Sequence, residues 1–144
     1  MGAVKIHIVY NFTDIPFGGA NQFLKALRDY FIEKDCYSKS IKEADVIILN
    51  SHLFGQGITL FNIIWTQRHL LKEKTVLHRV DGPISLYQAN NRFSIDKYIF
   101  KISRLVSDGT VFQSSWSQQE CKSIGMPSKD FELVTINAPD PKVF

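Results

Sequence analysis

The chain is poor in cysteine: Cys36 and Cys121 are the only two in 144 residues. Their contexts are unrelated and their separation matches no zinc or redox motif. A disulfide scaffold is thereby excluded, and two free thiols in a reducing cytoplasm fit best. Long apolar runs are missing too, since none reaches the ~20 residues that span a bilayer. The N-terminus, Met-Gly-Ala-Val-Lys, lacks the charged and apolar regions of a signal peptide. A cytoplasmic protein is expected, with at most a peripheral membrane contact. No lysine or arginine run stands out and the net charge is only +3. Nucleic acid is therefore not an expected partner, while a weak attraction to anionic lipid is compatible. His7, His52, His69 and His78 show no metal-ligand spacing, so no metal site is expected. The dinucleotide fingerprint, the P-loop and the GxSxG elbow are all absent. Ordinary NAD or ATP binding and hydrolase-type serine chemistry have no support.

What is present alternates. Residues 5–10 (KIHIVY) predict a first strand, rich in β-branched residues. Phe23, Leu24, Leu27, Tyr30 and Phe31 recur at helical spacing and predict a helix over 20–34. Residues 45–50 (DVIILN) are continuously apolar, which suits a parallel strand covered on both faces. Residues 58–71 are apolar around most of their circumference and predict a buried helix. A third strand follows at 75–80 (TVLHRV), then a connection over 81–93 without clear periodicity. Ile95, Ile99, Ile102, Leu105 and Val106 predict another helix, and 109–113 (GTVFQ) a fourth strand. Ser117 with Glu120 reads as a capping box, and Gly125 closes that helix. Residues 132–136 (ELVTI) predict a fifth strand. Such alternation implies an α/β fold, a Rossmann-like three-layer domain with a parallel sheet and right-handed crossovers. Ligands of such sheets bind at the carboxyl ends of the strands. That rule selects the loops 11–19, 50–57, 81–93 and 114–116.

Within those loops the candidate chemistry is polar and anionic. Gly18 and Gly19 stand between the first strand and the first helix. Glycine there admits close backbone approach, and the helix N-terminus offers free N–H groups to an anion. A tight turn explains the pair equally well. Asp81, at the end of the third strand, suits an anchor for a sugar hydroxyl or a general base. Arg79 suits a phosphate or carboxylate. A salt-bridged strand end before the Gly82-Pro83 turn accounts for both as readily. The long connection after it holds Asn90, Asn91 and Arg92, and long connections are often functional. His52 lies in a strand-end loop. His7 reads as a core or edge residue, Trp65 and Trp116 as packing residues, and Ser115 and Ser117 as helix caps.

Several stretches, in order, resemble GT-B glycosyltransferases of the large retaining group that contains many bacterial polysaccharide enzymes. KIHIVYNFTDIPFGGANQFLKAL is similar to that family's first strand, glycine loop and first helix. EADVIILNSH is similar to its second buried strand. LHRVDGP and RFSIDKYIFKISRLVSDGTVFQSSWSQQECKSIG resemble its later acceptor-domain elements. TINAPDPKVF resembles its passage into the interdomain linker. The resemblance implies an acceptor-side domain over 1–137 and the start of a linker over 138–144, with the donor-binding half absent. It implies sugar transfer from a nucleoside diphosphate sugar to a glycan, lipid-linked or other acceptor, without a bound cofactor or metal. It places Gly18, Gly19 and Asn21 against the donor diphosphate, Asp81 as catalytic residue, and Asp14, His52, Arg79, Asn90 and Arg92 along the acceptor cleft. The glutamate pair of the family's second half is not reproduced by Glu33, Glu43, Glu73, Glu120 or Glu132. A missing donor domain or separate donor subunit is thus the expected partner, and dimerisation through the uncovered docking face would be unsurprising. The competing readings are a non-catalytic glycan- or partner-binding module and, more distantly, a nucleotide or response-regulator domain. The last lacks an acidic cluster after the first strand.

Overall fold

The computed structural model describes residues 2–14, 18–51, 74–87 and 93–136. It is an α/β domain built on a five-stranded, wholly parallel sheet flanked by helices. The strands are β1 (Ile6–Val9), β2 (Val46–Asn50), β3 (Thr75–Val80), β4 (Gly109–Phe112) and β5 (Phe131–Val134). The helices are α1 (Gly18–Glu33), α2 (Ile84–Tyr87), α3 (Phe93–Val106) and α4 (Ser115–Ser123). The strands pair in sequence order, with Ile47 beside Val76 and His78 beside Thr110. The helix expected over 58–71 and the tail beyond residue 136 lie outside the described residues, as does Trp65.

One short contact sets the topology. Tyr37 pairs in parallel with Ile6. Ile6 N donates to Cys36 O (2.7 Å) and Ser38 N to Ile6 O (2.8 Å). Lys5 O, one residue earlier, accepts instead from Val46 at the start of β2. Successive residues of a strand bond to opposite neighbours, so Tyr37 lies beyond β1, away from β2. The chain therefore leaves β1 to one side and returns on the other. Beside β1 the order reverses, and in open α/β sheets the crevice forms at such a reversal.

Right-handed crossovers in opposite directions put helices on opposite faces. The α3–α4 face of the sheet holds Val9, Ile47, Leu49, Val76, Val80 and Phe112, packed on Ile99, Ile102, Val106 and Cys121. Burial also pushes the Cys121 thiol up to about 12, which makes it an inert core residue. On the other face, Leu24 of α1 is buried and Phe23 reaches Arg79.

Helix ends follow local chemistry, with two departures from the sequence reading. The connection after β3 contains α2, whose N–H groups at Ile84 and Ser85 donate to the buried carboxylate of Asp96 (2.7 and 3.1 Å). That cap comes from another helix, so no local pattern announces it. The N-cap of α4 is Ser114, not Ser115 or Ser117: extended Ser114 accepts from Ser117 N at 3.0 Å. Ser117 sits inside the first turn with its hydroxyl pointed to Val80 O, 3.4 Å away. Gly125 closes α4 as read. It adopts φ +101 while Gly125 N donates to Lys122 O and Met126 N to Cys121 O, the paired bonds of a Schellman motif. Trp116 covers Gly82 but remains about half exposed.

Candidate functional site

The carboxyl ends of β1, β2 and β3 gather one connected polar cluster. Strand alternation sends the His78 and Arg79 side chains to opposite faces, and both are fully buried. Arg79 lies over the Phe23 ring at 4.7 Å. Its Nη1 donates to Asn50 Oδ1 (2.7 Å) and to Asp81 Oδ1. The other carboxylate oxygen of Asp81 accepts from the Ser51 hydroxyl (2.8 Å), and Asp81 N donates back to Ser51 Oγ (3.0 Å). Gln113, just past β4, donates its amide to Asp81 O.

Ser51 is the hub. Its N–H donates to Arg79 O (2.6 Å), and its carbonyl lies 2.6 Å from His78 Nε2, which donates to it. Ser51 has φ +25, an unusual backbone value outside glycine. The bonds to β3 hold it there. Burial drives the His78 imidazole down to about 4, against a smaller upward pull from the Ser51 bond and Asp81. His78 is therefore neutral near pH 7, with its proton on Nε2. Tyr10, after β1, faces the same charges. Burial raises its phenol, Asp81 raises it further, and Arg79 opposes.

The glycine loop is built differently. Gly18 has φ +61 and opens α1, while Gly19 follows in the first turn. Both are exposed, and a Cβ on either would meet nothing within 4 Å. Asn21 is buried and pins the loop: its Oδ1 accepts from Thr13 N (3.2 Å) and its Nδ2 donates to Thr13 O (3.1 Å). Asp14 is fully exposed and pairs loosely with Lys25 at 3.5 Å. Among the described residues, nothing covers the first turn or accepts from its backbone N–H groups, an arrangement that suits an anion. Gly18→Ala should cost about 1 kcal/mol, because φ +61 disfavours a side chain. Gly19→Ala should change stability by less than about 0.5 kcal/mol. Urea denaturation of both variants checks the contrast. A larger bulk at Gly19 that weakens ligand binding while sparing stability would mark a contact surface rather than a turn.

The structure thus joins Arg79 and Asp81 directly and sets Gly18, Gly19, Asn21 and Asp14 on the adjacent loop. His52, Asn90 and Arg92 lie outside the described residues. Asn50, Ser51, Tyr10, Phe23 and Gln113 join the cluster without having been singled out from sequence. Their signal was positional: Asn50 and Ser51 are the polar residues that end an apolar strand, inside a loop already selected. His7 sits half-buried on β1 with Nδ1 2.9 Å from Ser38 O. Among the described residues, no three of His, Cys, Asp and Glu come together to hold a metal ion. None of the described helices is long and apolar enough to cross a membrane. Comparison with protein-family models and with curated proteins finds no match for the chain.

Proposed function

We propose that this chain is the acceptor-side domain of a GT-B glycosyltransferase, which takes a sugar from a nucleoside diphosphate sugar to a glycan or lipid-linked acceptor. The observation that carries the reading is the carboxylate of Asp81, fixed by Arg79 and Ser51 at the carboxyl ends of β2 and β3. The side chain keeps 25% of its surface exposed. A carboxylate held in one orientation, with lone pairs to spare, accepts hydrogen bonds from sugar hydroxyls without reorganising. Both of its oxygens already meet donors, so Asp81 serves better as an anchor than as a general base. Tyr10 adds an aromatic wall with a polar tip. The resemblance of the successive elements to GT-B acceptor domains supports the assignment, and the open first turn of α1 provides a place for the donor diphosphate.

The test is an NMR titration of the isotope-labelled chain with neutral oligosaccharides, UDP-glucose and GDP-mannose. Saccharides should shift the amides of Tyr10, Ser51, Asp81 and Gln113, and Asp81→Asn should remove those shifts. The nucleotide sugars should bind this acceptor-side domain by itself no better than millimolar. Micromolar binding of either, or saccharide shifts that survive Asp81→Asn, would overturn the reading.

A further inference from the structure

The outer face of α3 carries charge of one sign. Lys97, Lys101 and Arg104 recur at i, i+4 and i+7, so they form a stripe about 10 Å long on one side of the helix. All three are exposed, and no ion pair among the described residues engages them. The outer surface of α1 is different: there Arg28 pairs with Asp29, and Glu33 with Lys34. Mixed signs are what a merely solvated helix shows. Like charges one turn apart repel, and α3 interleaves no acid among them. Its Asp96 is buried, facing α2.

The stripe also borders a concavity. A groove of about 420 Å³ runs between α3 and the turn after α4, bounded by Phe93, Lys97, Lys101, Arg104, Gly125 and Pro127. Among the described residues, none that lines it is acidic. Phe93 is part-exposed at one end, with the Lys97 ammonium 5.1 Å from its ring centre. None of the crevice residues described above borders this groove.

We propose that this groove is a second binding site, for a phosphate monoester carried on an apolar body. Three cations around one cavity call for more negative charge than a single carboxylate supplies. A phosphate monoester brings nearly two charges and three acceptor oxygens. Arg104 offers a planar fork to two of those oxygens, and Lys97 and Lys101 offer point charges. Phe93 and the apolar floor take the attached body. The site does not depend on the crevice reading, so Asp81→Asn should leave it unchanged.

The same labelled chain tests this with dihexanoyl phosphatidic acid and inorganic phosphate as soluble probes. Both should shift the amides of Lys97, Lys101, Arg104 and Gly125, the lipid more tightly. The double variant K101E/R104E should weaken both at least about tenfold. Its substitutions lie on an exposed face, and its amide spectrum reports directly that it folds. Phe93→Ala should weaken the lipid while leaving inorganic phosphate unaffected. Flotation with phosphatidylcholine vesicles, with and without phosphatidic acid, separates the sources. Recruitment only by the acidic vesicles assigns a lipid headgroup, and no recruitment assigns a soluble phosphate monoester. Absence of groove shifts with both soluble probes, or unchanged affinity in the double variant, would overturn the proposal.

Discussion

Arg79→Ala should lower the unfolding free energy by about 3 kcal/mol, because it strands a carboxylate built around a buried cation. Arg79 is 2% exposed and its guanidinium serves Asn50, Asp81 and the Phe23 ring together. Truncation opens a cavity beside Phe23 and leaves Asn50 Oδ1 without that donor. It also leaves the Ser51 hydroxyl as the remaining donor to the Asp81 carboxylate among the described residues. Asp81 is 25% exposed, so water recovers part of the loss. That exposure places the effect toward the lower end of buried-pair deletions. Arg79→Lys should recover only a fraction, since a lysine ammonium lacks the planar guanidinium that stacks on the Phe23 ring and is more strongly hydrated, so its burial costs more. Arg79→Met combined with Asp81→Asn should recover most of the stability, because no unpaired charge remains. The coupling between the two sites is therefore expected to be large, and urea denaturation of the wild type, Arg79→Met, Asp81→Asn and the double variant measures it. A single-variant loss below about 1 kcal/mol would mean that the pair is effectively hydrated.

The same pair shows what a sequence reveals and what it hides. TVLHRV is a strand by composition, and β3 spans the expected residues. Strand alternation further fixes that His78 and Arg79 face opposite layers. The partners that make Arg79 tolerable are not legible, since Asn50 ends another strand 29 positions earlier and the Phe23 ring comes from α1. The sheet reversal is hidden for a related reason. It rests on one bridging residue, Tyr37, in a segment with no strand pattern. Helix α2 has four residues and takes its cap from Asp96, twelve positions after Ile84, so periodicity cannot find it. The α4 cap was displaced because Ser114, Ser115 and Ser117 are chemically interchangeable as caps. Only the extended backbone at Ser114 decides among them. Gly125 was legible because a glycine after the last helical turn has few other uses. The basic stripe on α3 was legible in principle. A search for consecutive lysines and arginines passes over it, whereas a search at the helical period finds it.

Acidification should destabilise the fold through His78, by about 3 kcal/mol between pH 6.5 and pH 4. His78 is wholly buried, and its folded value of about 4 lies below the 6.5 expected of an unfolded chain. The folded state therefore favours the neutral ring. Between those two values the unfolded chain binds the extra proton and the folded one does not. Stability from this group is complete above the unfolded value. It is lost as pH falls toward the folded value, below which both states are charged and nothing further is lost. His78→Gln removes the titration while retaining an amide N–H for the Ser51 carbonyl. The wild type should lose stability across that window faster than the variant, and the difference between their urea midpoints at each pH isolates the histidine. Parallel curves would show that the ring stays hydrated enough to titrate normally. The neutral ring bonds through Nε2 to Ser51, and its Nδ1 has no partner among the described residues. A proton added at Nδ1 would be a buried donor with no acceptor, which is why the burial cost outweighs the pull of Asp81. Because Ser51 carries both the His78 and the Asp81 bonds, hydrogen exchange at the Ser51 amide should quicken before that of the β4 amides. Acid would then loosen the hold of Ser51 on the Asp81 carboxylate before it unfolds the sheet.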